Sequence, residues 1–213
     1  WSSFAVVRSL RALSDIRKVG HAGSLDPMAT GLLICCLGRP ATREIEQFME
    51  MRKVYRGVLR LGQETRSYDA ETEIVRERPA DHVSPADIRT ATDSFLGTIQ
   101  QRAPMYSAVK VKGERLYKKA RRGETVDRTP RVVSVYSFEV FDRTDNDVDF
   151  RVVCSKGTYI RSLVHDLGQN LDVGAHLVKL RRIAIGPYRV EDAWDIDELE
   201  EAIRSGTLTT SQS

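Results

Sequence analysis

Two alternating runs, Arg131–Phe141 and Val148–Ser155, flank the polar turn Asp142–Asp147. Apolar residues at every second position mark strands with one buried face. Strands joined by so short a turn pair antiparallel. Lys53–Leu61 alternates as well, with Tyr55, Gly57, Leu59 and Leu61 on one face and Val54, Arg56, Val58 and Arg60 on the other. Leu32–Leu37 and Leu177–Ile185 read as further strands. Helical spacing appears at Phe4, Val7, Leu10 and Leu13 behind a Ser3 cap, over Thr42–Met49, and from Ser84-Pro85-Ala86-Asp87 towards Gly97. It returns in the basic stretch Leu116–Arg122, in Thr158–Leu171, and after an Asp195/Glu198 capping box that stops at Gly206. Strands adjoin strands as often as they alternate with helices. The fold class is therefore α+β, a mixed, largely antiparallel central sheet flanked by helices, and not a doubly wound parallel sheet. With 213 residues, no repeat and no low-complexity linker, a single domain is expected.

Charge narrows the function. The formal net charge is only +3, yet its distribution is uneven. Between Arg102 and Arg131 ten basic residues, Lys110, Lys112, Lys119 and Arg122 among them, face only Glu114, Glu124 and Asp127. His176–Arg189 adds Lys179, Arg181, Arg182 and Arg189 without an acid, whereas the stretch after Arg189 is acidic. A concentrated basic face suits a phosphate backbone; a solvated helix face is the plain alternative. Cys35, Cys36 and Cys154 form no C-x-x-C pair and His21, His82, His165 and His176 have no zinc spacing, so neither a disulfide framework nor a metal site is expected. Buried free thiols suit a reducing cytosol. No apolar run is long enough for a membrane helix, and no G-x-G-x-x-G, P-loop or G-x-S-x-G motif occurs.

Three segments carry candidate chemistry. Lys18-Val19-Gly20-His21-Ala22-Gly23-Ser24-Leu25-Asp26-Pro27-Met28-Ala29-Thr30-Gly31 puts a carboxylate in a glycine-flanked loop. It reads as a close-approach site or as a simple Asp-Pro turn. Cys154-Ser155-Lys156-Gly157-Thr158-Tyr159-Ile160-Arg161 places a guanidinium in the first turn of a helix, against the dipole. That calls for a specific anion, unless Arg161 is merely exposed. Tyr106-Ser107-Ala108-Val109-Lys110 leads into the basic helix and suits a stacking-and-phosphate surface for RNA, or a corner with snorkelling lysines.

These segments, with Lys53-Val54-Tyr55, Leu61-Gly62, Ala120-Arg121-Arg122-Gly123, Gly174-Ala175-His176-Leu177 and Leu180-Arg181-Arg182, stand in one order over about residues 1–190. In that ordered set the chain resembles the bacterial tRNA pseudouridine-55 synthases of the TruB type. The resemblance implies the pseudouridine synthase fold and isomerisation of uridine to pseudouridine in the T loop of tRNA, at position 55, without a guide RNA. It implies that Asp26 is the catalytic aspartate acting at the sugar, that Arg161 is its pairing cation, and that Tyr55 stacks on the base. Leu180 would wall the base pocket, and His21 would fill the gap left by the flipped uridine. Tyr159, Lys110, Lys119, Arg122 and Arg182 are candidate substrate contacts, the last four to phosphate. Isomerisation calls for no cofactor and no metal. The partner expected is the tRNA T arm, with no membrane and no guide; the protein is expected to be a cytoplasmic monomer. The family's opening Lys-Pro strand motif is not seen before Trp1. Residues 1–213 are expected to form the catalytic domain with an acidic C-terminal helix at about 195–205 and no PUA domain, either as a short form or through truncation. Three rivals stay open: a guide-dependent rRNA synthase, a non-catalytic tRNA-binding module, and a nucleoside-bond hydrolase.

Overall fold

The computed structural model describes residues 1–111 and 113–207; Lys112, one of the basic residues above, lies outside the described residues. The elements run α1 (Ser3–Ser14), β1 (Val19–His21), β2 (Thr30–Gly31), β3 (Cys35–Leu37), α2 (Gly38–Arg43), α3 (Ile45–Glu50) and β4 (Lys53–Leu61). Next come β5 (Gln63–Thr65), β6 (Ile74–Glu77), α4 (Pro85–Asp93), β7 (Gly97–Gln101), β8 (Lys110–Val111), β9 (Glu114–Arg115) and α5 (Leu116–Arg121). The chain closes with β10 (Arg131–Thr144), β11 (Asp147–Cys154), α6 (Ile160–Asn170), β12 (Ala175–Ile185), β13 (Tyr188–Arg189) and α7 (Ile196–Arg204). No helix among the described residues is long and apolar enough to cross a membrane.

The chain forms two compact units. The first joins residues 1–53 and 181–207. Val7 and Leu10 of α1 pack with Val19 of β1, and Leu199 and Ile203 of α7 close over them. The α1 cap is Ser2, whose hydroxyl accepts from Ala5 N, one residue earlier than the spacing suggests. Phe4 is left 65% exposed, so the apolar stripe is narrower than expected. The strand at Leu32–Leu37 shortens to β3, which pairs antiparallel with β1. Asp195 caps α7 by accepting from Asp197 N.

The second unit, residues 54–180, holds the sheet β12–β4–β11–β10–β7. The β10–β11 hairpin is the one the alternation predicts, but its turn tightens to Asp145-Asn146, with Asp145 left-handed at φ 54°. On β11, Val148, Phe150, Val152 and Cys154 all face the core. Gly57 is required on β4: a Cβ there would meet Lys179 O at 2.5 Å and the Phe150 ring at 2.6 Å. Helix α6 buries Ile160, Leu163, Val164 and Leu167, the stripe read from the sequence. Ser84 and Asp87 form a reciprocal capping box on α4. In the first unit the end of β12 pairs antiparallel with β13 and parallel with β2. A mixed, largely antiparallel sheet flanked by helices is thus the observed architecture.

Candidate active site

In the first unit the glycine-rich loop is a built structure. After β1, Ala22 N donates to Ile34 O at 2.9 Å, and Ala29 N closes the turn at Asp26 O at 2.9 Å. Leu25 N donates to Ser3 Oγ, tying the loop to the start of α1. Arg182 is the main fastener, 1% exposed. Its Nε donates to Leu32 O at 2.8 Å and its NH2 to Gly23 O at 3.1 Å, while its own carbonyl accepts from Leu32 N. One guanidinium therefore spans the loop's two ends. Gly31 is left-handed at φ 101°, and a Cβ there would run into the Arg182 backbone. Asp26 is half-buried on the loop held this way. His21, at the end of β1, has a buried Nδ1 with no hydrogen-bond partner among the described residues. Burial first, and the Arg182 charge second, push its pKa below the usual histidine value.

In the second unit an anion stands beside Arg161. Arg161 is buried, 4% exposed, and its NH1 lies 3.4 Å from Oδ2 of the fully buried Asp69. The same NH1 donates to Ser67 O at 3.1 Å. Asp69 is itself held: its Oδ1 accepts from the Ser67 hydroxyl and from Glu71 N, and Ser67 Oγ lies 2.8 Å from Thr72 Oγ1. The helix start that carries Arg161 has no side-chain cap of its own. Gln101 of β7 supplies the contact instead, accepting from Tyr159 N at 2.8 Å and donating to Tyr159 O at 3.0 Å. Tyr55 is half-buried on β4, and Leu180, 7% exposed, stands on the neighbouring strand β12. Sequence reasoning missed Asp69 and Ser67. Their signal was a cluster of hydroxyls around Asp69, from Thr65, Ser67 and Thr72, with no periodicity to draw the eye.

The basic residues divide. Arg182, read as a phosphate contact, is instead buried and engaged with backbone carbonyls, because the loop needs a donor at its closure. Lys119 lies near Glu114 and Glu124, at 3.4 and 3.7 Å. Arg122 makes two hydrogen bonds to Glu114 and one to Glu124. The two bonds from Arg122, with Lys119 adding to them, hold the pKa of the Glu114 carboxyl down to about 2. Lys110 is exposed and borders a cavity of about 200 Å³ together with Arg128 and Arg131. No group of three potential metal ligands occurs among the described residues.

A family model described as TruB family pseudouridylate synthase (N terminal domain) matches residues 11–160. A second, the tRNA pseudouridylate synthase B C-terminal domain, matches residues 161–211. The tRNA pseudouridine synthase B of Thermobifida fusca is 50% identical over 207 residues, which is 93% of this chain and 70% of that one. Its counterpart in Flavobacterium johnsoniae is 43% identical over 96% of this chain and 92% of its own length. Among solved structures, an H/ACA ribonucleoprotein bound to a substrate RNA containing 2′-deoxyuridine aligns with TM-score 0.71 at 27% identity, over 99% of this chain. An archaeal box H/ACA complex of Nop10 and Cbf5 aligns at 0.68 and 26%, over 97%. The chain spans about half the length of those two, 53% and 51%.

Proposed function

The chain belongs to the TruB family of pseudouridylate synthases, and from that premise we propose that it converts uridine to pseudouridine in tRNA, at position 55 of the T loop, without a guide RNA. The reaction breaks the N1–C1′ bond, turns the uracil and rejoins it through C5, while the C5 proton leaves for N1 or solvent. Positive character develops at C1′, as in glycoside cleavage. The Asp26 carboxylate either traps C1′ covalently or removes the 2′ proton to give a glycal. Arg161 is the cation that this reading assigns to the support of that carboxylate, and Tyr55 is the base-stacking residue and proton carrier. Leu180 and Tyr159 border the base, and His21 takes the place of the flipped nucleotide. The protein acts as a cytoplasmic monomer, with residues 1–213 supplying the catalytic domain.

The observation that carries the reading is the placement of Asp26 on a loop closed at both ends by one buried arginine. A carboxylate that must meet a single sugar carbon needs such a fixed base, because small misplacements cost rate steeply. The test is tritium release from a tRNA transcript labelled at uracil C5. The protein alone releases tritium, and Asp26→Asn abolishes release while tRNA binding stays within a few-fold. Release that requires a guide ribonucleoprotein, retained turnover in Asp26→Asn, or free uracil as product each overturns it.

A further inference from the structure

Tyr68 holds φ at +65°, a conformation that bulky side chains rarely adopt; the other non-glycine residues with positive φ among the described residues are all aspartates. Such a backbone persists only where its surroundings over-determine it. A ring supplies much of that constraint here. The Tyr68 ring lies flat on the imidazole of His165, with centroids 3.8 Å apart and planes within 8°. His165 stands one helical turn beyond Arg161 on α6, so the two side chains leave the same face of the helix. Arg161 engages the carbonyl of Ser67 and the carboxylate of Asp69. His165 covers the residue between them. Two successive rungs of one helix thus grip three consecutive residues of one turn.

The backbone of that turn is satisfied to match. Tyr68 N donates to Thr65 O, Leu177 N donates to Tyr68 O, and Ala70 N donates to Leu177 O. The buried Nδ1 of His165 has no hydrogen-bond partner among the described residues, which leaves the stack to hold the imidazole on this side. Burial lowers the pKa of His165, so its ring stays neutral near neutrality.

We propose that Tyr68 and His165 form a positioning pair for the isomerisation: their stack holds the Ser67–Asp69 turn in its left-handed form and so fixes the guanidinium of Arg161. The proposal rests on the functional reading of Arg161 above, and neither ring touches the substrate in it. The two rings act as a unit, so losing either is equivalent to losing both.

The test combines single-turnover pseudouridine formation on a tRNA transcript, tRNA affinity, and hydrogen exchange at the Arg161 side chain by NMR. Tyr68→Ala and His165→Ala each lower the single-turnover rate by about tenfold to a hundredfold, with affinity within about threefold. The double variant is no slower than the worse single one. Tyr68→Phe, which keeps the stack, restores the rate. Tyr68→Asn accepts the left-handed backbone but cannot stack, and it stays slow; being compatible with the turn, it also serves if the alanine variant fails to fold. Faster Arg161 side-chain exchange accompanies every slow variant. A Tyr68→Asn protein with the wild-type rate and unchanged Arg161 exchange overturns the proposal. A wild-type protein that forms no pseudouridine in tRNA overturns the functional reading instead, and the exchange data then judge the positioning role alone.

Discussion

Arg161 shows how far a single residue could be read. A guanidinium in the first turn of a helix opposes the dipole, and that called for an anion unless the arginine was merely exposed. The sequence did not say which one. Asp69 lies far away in sequence, in a stretch with neither helical nor strand periodicity, so nothing local announced it. Burial makes the pair consequential: Asp69 is fully buried and Arg161 nearly so. Removing one partner of a buried pair is far worse than never having had it, because the remaining charge stays desolvated. Asp69→Ala is expected to cost about 3 kcal/mol or more in urea unfolding, and Asp69→Ala with Arg161→Met to recover part of that loss. A loss of less than about 1 kcal/mol, the range of an exposed pair, would show that other contacts of Arg161 carry it.

At the scale of elements, Lys53–Leu61 and the β10–β11 hairpin were legible because a half-buried strand writes its alternation into the sequence. The loop Gly20–Gly31 was legible as ordered, but its fastener was not. Arg182 looked like one more cation in a basic run, since a sequence carries no mark of burial on an arginine. The structure separates the two roles, and salt dependence can test the separation. Lys110→Ala is expected to reduce the slope of log affinity for tRNA against log salt by about one if Lys110 meets a phosphate. Arg182→Met should leave that slope unchanged while lowering stability and turnover, because it frees the loop and removes no phosphate contact. A reduced slope for Arg182→Met would restore the phosphate reading. Helix α5 gives a related contrast. Its basic character was plain, but Lys119 and Arg122 share their charge with Glu114 and Glu124. Arg122 and Glu124 are exposed, with Glu114 and Lys119 half-buried beside them, so these surface ion pairs hold little stability and yield readily to another anion. Glu114→Gln is therefore expected to tighten tRNA binding a few-fold at low salt and to steepen its salt slope. Unchanged binding would place α5 away from the RNA.

The whole molecule carries a feature that no motif displays. The formal charge of +3 hid segregated charge, and the apolar stripes of α1 and α7 did not reveal that the two ends of the chain pack on each other, because a stripe does not name its partner. Buried titratable groups are equally silent in sequence, yet they set how stability depends on pH. Burial pushes His21, His165 and His176 below the ordinary 6.5. The unfolded chain then binds protons that the folded one refuses, so stability is lost as pH falls below 6.5. Asp166 acts in the opposite sense. Burial raises its carboxyl from 3.8 to about 6, with the Arg128 charge opposing. Between those values the folded chain holds the proton more tightly than the unfolded one. Its contribution to stability is full below 3.8 and is lost as pH rises through about 6. Asp166→Asn removes the buried negative charge and keeps the shape. It is expected to be more stable than wild type at about pH 7, with the difference shrinking steadily as pH falls to about 4. The variant therefore loses more stability on acidification than wild type does. Urea unfolding of both proteins at several pH values measures this, and a difference that is absent at neutral pH or grows on acidification would contradict it. A buried acid of this kind offsets part of the acid sensitivity that the three histidines impose, so the pH profile of the wild type should be flatter than its histidines alone would make it.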